Sequence, residues 1–461
     1  MKHLIRNLWG KLVPSASEAA NQARFEPKHM PYDKAYFFTH VPKTGGTSFI
    51  VFLDRFFPAK VIFPHQLWID IGDFKAINRS AYHLIRGHFG GCAVDVISDK
   101  AIEYLTIVRD PVKLAYSTYE YVRREKNTAL HDMVIKQGMS FETFLTHPKT
   151  QHLITNRMVH NLTFGYQYDP AVKQLHLTNQ TFADFRKHMN AGQKVLQDDD
   201  RLRMAKAFLE QSLWFGVLEN FDDSMRLLCF KMAWPPLRKS QKLNINKIKP
   251  TISDEARAEA EERNRLDTEL YQHAVTHFEQ QVAQMKADLG ANDSISGDAL
   301  DDLIDAHYQQ QHLTRYQRPL SDGVRYDFSE ILLGGQWHRR EWNALNKSYF
   351  RWTGPGEESF IDFWVQAKNY QLEISVVDAI SIELLNGLTI SVNDQPLVIT
   401  HQGSGKSRTI TATTEASMVN ANGLFRLQFK ATGLGMHHQH FGSEDSRLVG
   451  FAVDRVTLRS A

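Results

Sequence analysis

Cysteine is nearly absent from this sequence, which has only Cys92 and Cys229 among its 461 residues. Two cysteines cannot build a disulfide framework or a thiolate metal cluster, so we expect both to be buried thiols in a reducing compartment. Long apolar runs are missing as well, since no stretch approaches the roughly 18 uninterrupted apolar residues of a membrane span. The chain is therefore expected to be cytoplasmic.

The N-terminal segment MKHLIRNLWGKLV interleaves Lys2, Arg6 and Lys11 with apolar residues. Its apolar run is interrupted too often for the core of a signal peptide. We expect a frayed tail there, and the alternative is a short interfacial helix that makes weak peripheral contact with a membrane.

Net charge of either sign is also small. The 54 Lys and Arg residues against 52 Asp and Glu residues leave a formal charge of +2. Bulk charge therefore cannot supply a surface for nucleic acid or anionic lipid, and any anion site has to be local. An apolar fraction of 42%, with 28 Phe residues, can fill globular cores and excludes a disordered chain.

The composition and the predicted secondary structure of the chain change near residue 290. Over 30–289, short β-rich runs alternate with helical patterns, which predicts an α/β domain with a mostly parallel sheet flanked by helices. The Asp-, Gln- and Ser-rich stretch 290–318 predicts a linker with one short helix. Over 319–461, about seven short β-branched and aromatic runs predict an antiparallel β-sandwich or jelly roll without intervening helices. The strands expected in the α/β domain are 35–41, 60–63, 82–87, 104–108 and 213–219. The expected helices include 151–161 and one long helix over 253–289.

The strongest local signal is a loop that follows an apolar strand and opens a helix, Lys43-Thr44-Gly45-Gly46-Thr47-Ser48. Two glycines let backbone amides approach an anion, and the helix directs its positive end to the same point. The lysine and the hydroxyls add side-chain donors. Because the lysine precedes the glycines, the order differs from that of the nucleotide P-loop and disfavours an ordinary ATPase. The structural alternative is a turn whose glycines serve only close packing.

A second strand also ends in polar residues, at Arg109-Asp110-Pro111, and Ser117 follows about two turns into the next helix. A guanidinium and a hydroxyl could hold a second phosphate there. Alternatively, Arg109 pairs with a carboxylate and fastens strand to helix. Ligands of open α/β sheets bind outside the carboxyl ends of the strands, so we expect the two polar ends to form one site.

Together with Phe215–Ser224 and Asn264–Tyr271, these segments resemble the PAPS-dependent carbohydrate sulfotransferases, a group that includes the heparan-sulfate uronyl 2-O-sulfotransferases and their bacterial relatives. PAPS is adenosine 3′-phosphate 5′-phosphosulfate. The resemblance implies a P-loop-like sheet and in-line sulfuryl transfer to a carbohydrate hydroxyl without a metal. It also implies that the loop holds the 5′-phosphosulfate, with Lys43 near the bridging oxygen, and that Arg109 and Ser117 hold the 3′-phosphate.

Sulfuryl transfer needs a base that accepts the proton of the attacking hydroxyl. His88 follows Gly87 just past a predicted strand, and a Gly-His at this point supplies the base in the resembling enzymes. The sequence departs from the heparan-sulfate enzymes at Arg86, where they have a second histidine. The alternative bases are His40, His65 and Glu120.

The C-terminal region has four tryptophans that could form platforms for sugar rings or fill a β-sheet core: Trp337, Trp342, Trp352 and Trp364. In texture the region resembles β-sandwich modules appended to bacterial glycan-modifying enzymes. We expect the histidine-rich segment 437–440 to be a loop and not a metal site.

The leading hypothesis is therefore an enzyme that sulfates a polysaccharide, an oligosaccharide or a glycolipid. Three basic residues, Lys113, Arg123 and Arg124, could bind an anionic acceptor or form a solvated helix face. The alternative functions are a nucleotide-dependent kinase, which needs Mg²⁺ and carboxylate ligands, and a non-catalytic glycan-binding protein with a degenerate transferase domain.

Overall fold

The computed structural model describes residues 34–91, 93–164, 196–238, 252–316 and 320–461. The predicted N-terminal tail and Cys92 lie outside these ranges, whereas Cys229 is buried, as expected, and is not in a disulfide. The chain divides into two compact units. The described parts of Pro31–Leu53 and Lys60–Tyr308 form an α/β unit, and Asp54–Ala59 with Gln309–Ala461 forms a β-rich unit. Within the described ranges, no helix is long and apolar enough to cross a membrane.

The α/β unit alternates strands and helices, as the sequence pattern predicts. Its strands are β1 (Lys34–Thr39), β2 (Leu84–Gly87), β3 (Ala101–Val108) and β4 (Trp214–Val217). Its helices are α1 (Gly46–Leu53), α2 (Ala93–Ile97), α3 (Pro111–Arg124), α4 (His131–Lys136), α5 (Phe141–Thr146), α6 (Arg157–Thr163), α7 (Asp198–Gln211), α8 (Phe221–Met232), α9 (Asp254–Arg263), α10 (Arg265–Asp288) and α11 (Gly297–Tyr316). The last of these helices continues into the β-rich unit, since the boundary between the units falls at residue 308.

The four strands form a parallel sheet in the order β2-β1-β3-β4. Strands buried on both faces need near-continuous apolar runs, and β1 meets that need because its residues 35–39 are all buried. Thr39, the last residue of β1, pairs with Gly87 on one side and Thr106 on the other. The residues that follow β1, β2 and β3 therefore emerge at the same edge of the sheet.

Three sequence predictions for this unit are wrong. The expected strand 60–63 is a 3-10 turn, Ala59–Val61, followed by a single bridge from Ile62 to Leu84. Pro58 and Pro64 bracket this run, and proline cannot donate to a strand ladder. The single helix expected over 253–289 is two helices, because Asn264 leaves helical geometry between α9 and α10.

The third wrong prediction is the linker with one short helix over 290–318. It contains the 20-residue helix α11 instead. Leu300, Ile304 and Tyr308 are fully buried and recur every fourth residue, so they form one apolar stripe. The few large apolar residues of this segment are scattered among many Asp and Gln residues, which gave it the composition of a linker. The three buried ones nevertheless have the spacing of a packed helix.

The β-rich unit confirms the prediction of an antiparallel β region at the C-terminus. Its longer strands are β5 (Val324–Asp327), β6 (Ser348–Trp352), β7 (Glu358–Trp364), β8 (Tyr370–Ala379), β9 (Thr389–Val392), β10 (Arg408–Thr414), β11 (Leu424–Lys430) and β12 (Phe451–Ser460). They belong to two antiparallel sheets whose buried side chains share one core, for example Ile374 and Val456 from one sheet with Phe425 and Leu427 from the other. Two short helices, Ile382–Asn386 and His437–Phe441, interrupt the strands, so the predictions of no helix in this region and of a loop at 437–440 are wrong.

Three of the four tryptophans are buried: Trp337, Trp352 and Trp364. Of the two roles that the sequence allowed, these three therefore fill the core. Trp342 is half-buried and packs edge-on against Tyr349. Trp342 is therefore the one of these four that is not buried in the core.

Candidate functional site

A cavity of about 1410 Å³ lies at the edge of the sheet where β1, β2 and β3 end. Eight residues that the sequence analysis singled out for donor binding and catalysis line it: Lys43, Gly45, Gly46, Thr47, Ser48, His88, Arg109 and Ser117. Seven cationic and four anionic side chains are among its lining residues. The cavity thus concentrates positive charge in a chain whose formal charge is only +2.

The loop between β1 and α1 is packed so closely that its glycines cannot be replaced. Lys43 and Gly45 both have a left-handed backbone, with φ of 71° and 83°. A Cβ on Gly46 would lie 2.0 Å from Nε2 of His40, and one on Gly45 would lie 2.6 Å from Cδ1 of Leu218. The imidazole of His40 therefore rests on the loop backbone, and close packing is one function of this glycine pair.

The same loop also has the form of an anion site. The amide groups of Ser48 and Phe49 donate to the carbonyl of Gly45 at 3.1 and 3.3 Å, which begins α1. Gly46 and Thr47 belong to the first helical turn, whose amides have no intrahelical acceptor, and both residues line the cavity. Their free donors and the positive end of α1 favour an anion at this point.

Thr44 differs from the other predicted loop residues because it does not line the cavity. Its side chain is fully buried, and its hydroxyl donates to the carbonyl of Val41 at 2.8 Å. The hydroxyl thus closes the turn and has no contact with the cavity. Any contribution of Thr44 to a ligand is limited to its backbone.

Arg109 and Lys43 meet directly, which the sequence did not predict. Nη1 of Arg109 donates to the carbonyl of Lys43 at 2.8 Å, and its buried Nε has no hydrogen-bond partner. Among the described residues, neither side chain forms an ion pair with a carboxylate within 4.0 Å. The alternative prediction, a structural pair between Arg109 and a carboxylate, is therefore wrong. Glu219, the nearby acid, instead accepts from the amide of Asp110 at 3.2 Å and from the hydroxyl of Tyr271 at 3.1 Å.

The protein surroundings stabilise the charge of Lys43 poorly. Its Nζ lies 4.5 Å from the ring centroid of Tyr121. Burial, together with the positive charges of Arg124 and Arg109, lowers the pKa of Lys43 to about 8. An anion placed among these three cations would favour the charged form of Lys43, so the site is electrostatically complementary to an anion.

His88 is held with one ring nitrogen free. Its Nδ1 lies 2.7 Å from the carbonyl oxygen of His40, and because a carbonyl only accepts, Nδ1 carries the proton. Burial lowers the pKa of His88, and Arg157 lowers it as well, so the ring is neutral near pH 7. In that tautomer Nε2 has a lone pair, as a general base requires.

The backbone before His88 fixes its position. Gly87 has φ of 153°, and a Cβ there would lie 2.3 Å from the carbonyl oxygen of Gln66. That carbonyl accepts from the amide of His88 at 2.9 Å. The ring of His40 stacks on the ring of His88 with centroids 4.3 Å apart. A glycine is therefore required before this histidine.

The alternative bases differ in their access to the cavity. His65 does not line it, whereas His40 and Glu120 do. Burial holds the pKa of His40 well below its usual value, and its Nδ1 has no hydrogen-bond partner. Glu120 is paired with Arg123 at 3.0 Å. Lys113 and Arg124 line the cavity, but Arg123 does not, since its guanidinium lies over the ring of Tyr119.

Arg157 is a lining residue that the sequence analysis missed. It is the first residue of α6, where the sequence predicted one continuous helix over 151–161. Asn156, with φ of 46°, breaks that helix, and its Oδ1 accepts from the amides of Leu266 and Asp267 at 3.1 and 3.2 Å. The segment 264–271, noted above for its resemblance, thus sets where α6 begins and places Arg157 at the cavity.

Asp267 caps α6 from α10 and should be essential for the stability of this unit. It is fully buried, and its two oxygens accept from the amides of Met158 and Val159 at 2.9 and 2.8 Å. Asp267→Ala leaves both amides without a partner, so we expect a loss of about 2–6 kcal/mol at roughly 1–3 kcal/mol per buried unsatisfied group. Urea unfolding followed by tryptophan fluorescence measures this loss.

Asp267→Asn is the matched control for that experiment. Its amide oxygen can still accept one of the two hydrogen bonds, so its unfolding midpoint should lie between those of wild type and Asp267→Ala. Equal midpoints for wild type and Asp267→Ala would contradict the capping role.

Comparisons with known proteins add little to this geometry. No family model matches the chain, and no curated protein matches it. Among solved structures there is a weak likeness to a family GH115 4-O-methyl-α-glucuronidase with specificity for decorated arabinogalactans, at 9% identity and a TM-score of 0.20. It covers 75% of this chain and 41% of that chain, so the present chain spans well under half of the glucuronidase. A likeness at this TM-score carries no argument about fold or activity.

Proposed function

We propose that this protein is a PAPS-dependent sulfotransferase that moves a sulfuryl group from PAPS to a hydroxyl of a carbohydrate acceptor. One observation carries the proposal. Lys43 and Arg109 lie 66 positions apart in sequence, yet they are joined by a 2.8 Å hydrogen bond and line the same cavity as His88. A nucleotide with anionic groups at both its 5′ and 3′ ends matches a cavity with cations from two strand ends.

The donor is assigned to the sheet edge. The 5′-phosphosulfate would bind the first-turn amides of α1 with Lys43 beside the bridging oxygen, which makes the loop P-loop-like in function although its lysine precedes the glycines. Arg109 gives one of its donors to the carbonyl of Lys43, and its unpartnered Nε and other donors would bind the 3′-phosphate with Ser117. Ligand pockets usually measure about 300–1,000 Å³, so a larger cavity has room for a nucleotide and a sugar.

The transfer step follows from these positions. An acceptor hydroxyl attacks sulfur in line, Nε2 of His88 takes its proton as the new O–S bond forms, and the S–O bond to the 5′-phosphate breaks. The negative charge on the departing adenosine 3′,5′-bisphosphate is stabilised by Lys43 and the α1 amides. No metal is needed to balance this step.

A kinase is the weaker candidate because at least three of the four carboxylates that line the cavity already have partners. Glu219 accepts from Asp110 and Tyr271, Glu120 pairs with Arg123, and Asp223 pairs with Arg226 at 2.9 Å. A kinase needs free carboxylates for Mg²⁺. The proposal also includes a cytoplasmic location and an accessory, glycan-binding role for the β-rich unit.

Calorimetry with adenosine 3′,5′-bisphosphate tests the donor assignment. Wild type should bind it more tightly than ADP, and Arg109→Ala should lose about 10- to 100-fold in bisphosphate affinity, since a hydrogen bond to a charged group is worth about 1.5–3 kcal/mol. Ser117→Ala should lose less, and only for the bisphosphate. Because Arg109 also supports the loop, Ser117→Ala separates loss of the 3′-phosphate contact from distortion of Lys43.

Arg123→Ala is the matched control, since Arg123 lies on the same helix as Ser117 but does not line the cavity. It should bind the bisphosphate as wild type does. Equal affinity of wild type for ADP and the bisphosphate, or no binding of either, would remove the basis of the proposal.

A further inference from the structure

A group of metal-binding side chains lies outside the cavity, between α7 and α10. Glu210 from the last turn of α7 and His273 and His277 from α10 each offer one ligand atom, and these atoms all lie within 4.8 Å of one another. Nε2 of His273 is 3.1 Å from Oε1 of Glu210, and the two imidazole rings have centroids 4.7 Å apart. Two helices thus bring three donors of suitable type to one point.

The spacing of these groups fits a shared ion. Residues at i and i+4 lie on one face of a helix, which places both imidazoles opposite α7. Zinc bonds to imidazole nitrogen and carboxylate oxygen are about 2.0–2.2 Å, so tetrahedral ligand atoms lie roughly 3.3–3.5 Å apart. The His273–Glu210 separation is close to that value. Nε2 of His273 is also buried and makes no hydrogen bond of acceptable geometry to the carboxylate.

Neighbouring charges leave Glu210 available to an ion. Lys206, one turn earlier on α7, pairs with Glu269, one turn before His273 on α10, at 2.7 Å. Successive turns of α7 and α10 therefore lie opposite each other, and the ion-pair partner of Lys206 is Glu269 and not Glu210. The side chain of Glu210 is 48% exposed, so an ion can enter from solvent.

We propose that Glu210, His273 and His277 bind one divalent ion of the zinc class, with water at the fourth position, and that this ion ties α7 to α10. The donor set of two imidazoles and one carboxylate favours zinc over magnesium or calcium, which prefer oxygen ligands only. The ion would stabilise α10. This helix carries Asp267, which contacts α6, and Tyr271, which contacts Glu219. The site is independent of the sulfotransferase proposal, because none of its three residues lines the cavity.

Zinc titration of chelator-treated full-length protein tests this site. Calorimetry should show one saturable equivalent of Zn²⁺, and Co²⁺ in its place should give the intense visible absorption of a tetrahedral nitrogen and oxygen site. His277→Ala should weaken Zn²⁺ binding at least tenfold, because the loss of one of three protein ligands opens the site. Zn²⁺ should raise the melting temperature of wild type and leave that of His277→Ala unchanged.

The controls distinguish this site from adventitious binding to surface histidines. His438→Ala, in the β-rich unit, should bind Zn²⁺ as wild type does, and Glu210→Gln should be weakened like His277→Ala. Unfolding midpoints measured without metal show that each variant is folded. Equal Zn²⁺ affinity of wild type and the His273→Ala/His277→Ala double variant, or no saturable binding at micromolar Zn²⁺, would overturn the proposal.

Discussion

Replacing His88 with alanine should lower kcat for sulfuryl transfer by about 10²- to 10⁴-fold, the usual contribution of a general base, and change bisphosphate affinity by no more than about threefold. The reason is the free Nε2. Nδ1 is committed to the carbonyl of His40 at 2.7 Å, so Nε2 is the ring atom that can accept the proton, and alanine removes it. Transfer of radiolabelled sulfate from PAPS to a panel of glycans measures the loss.

His65→Ala is the control for this experiment, since His65 does not line the cavity, and it should retain wild-type turnover. Glu120→Gln separates His88 from the acid that also lines the cavity. An alanine variant of His88 that keeps full turnover, or a Glu120→Gln variant that loses as much as His88→Ala, would reassign the base.

The acid limb of the pH profile gives a second readout of the same residue. The pKa of His88 is lowered from its usual value of 6.5, chiefly by burial. Below that lowered pKa the ring holds a proton at Nε2 and cannot accept another, so kcat/KM should rise with pH through it and be nearly constant at pH 7. In His88→Ala this acid limb should disappear from the residual activity.

The parts of the site that the sequence predicts are those held by residues close together in the chain. Lys43 to Ser48 follow one another from strand to helix, so their order alone indicates an anion loop. Gly87 and His88 are likewise adjacent, and the glycine is needed where the backbone meets Gln66. The loop and the Gly-His pair lie at one edge because the sheet is parallel and β1 is the neighbour of β2. Arg109 reaches the same edge because β3 is the other neighbour of β1.

The parts that the sequence does not predict depend on contacts between distant segments. Arg157 reaches the cavity because Asn156 and Asp267 cap each other's helices across more than 100 positions. The role of the Thr44 hydroxyl is a local exception: it donates to the carbonyl of Val41, three residues earlier, and so closes the turn instead of facing the cavity. Two ligands of the proposed zinc-class site could be recognised from the sequence, because His273 and His277 are four residues apart on one helix. The third ligand, Glu210, comes from another helix.

Replacing Lys43 with alanine should lower kcat by about 10²- to 10³-fold, the usual effect of removing one group that stabilises charge in the transition state. Lys43 stands at the mouth of the anion loop and has no carboxylate partner among the described residues. Its charge is therefore available to the leaving group. Lys113→Ala is the matched control, because Lys113 also lines the cavity but is 55% exposed and lies 3.7 Å from Glu219. It should lose less than about tenfold, since an exposed pair contributes only about 1 kcal/mol or less.

The alkaline limb of the pH profile assigns this charge to Lys43. In the free enzyme its pKa is about 8, so the ammonium loses its proton as pH rises through that value, and kcat/KM should fall there. Arginine stays charged above pH 12, so Lys43→Arg should keep part of the turnover and lose the alkaline limb. A Lys43→Arg variant that retains the fall near pH 8, or a Lys43→Ala variant with wild-type kcat, would show that another group stabilises the leaving bisphosphate. The acid limb would then arise from His88, which follows β2, and the alkaline limb from Lys43, which follows β1. Loss of the acid limb alone in His88→Ala and of the alkaline limb alone in Lys43→Arg would show that both residues act on one reaction.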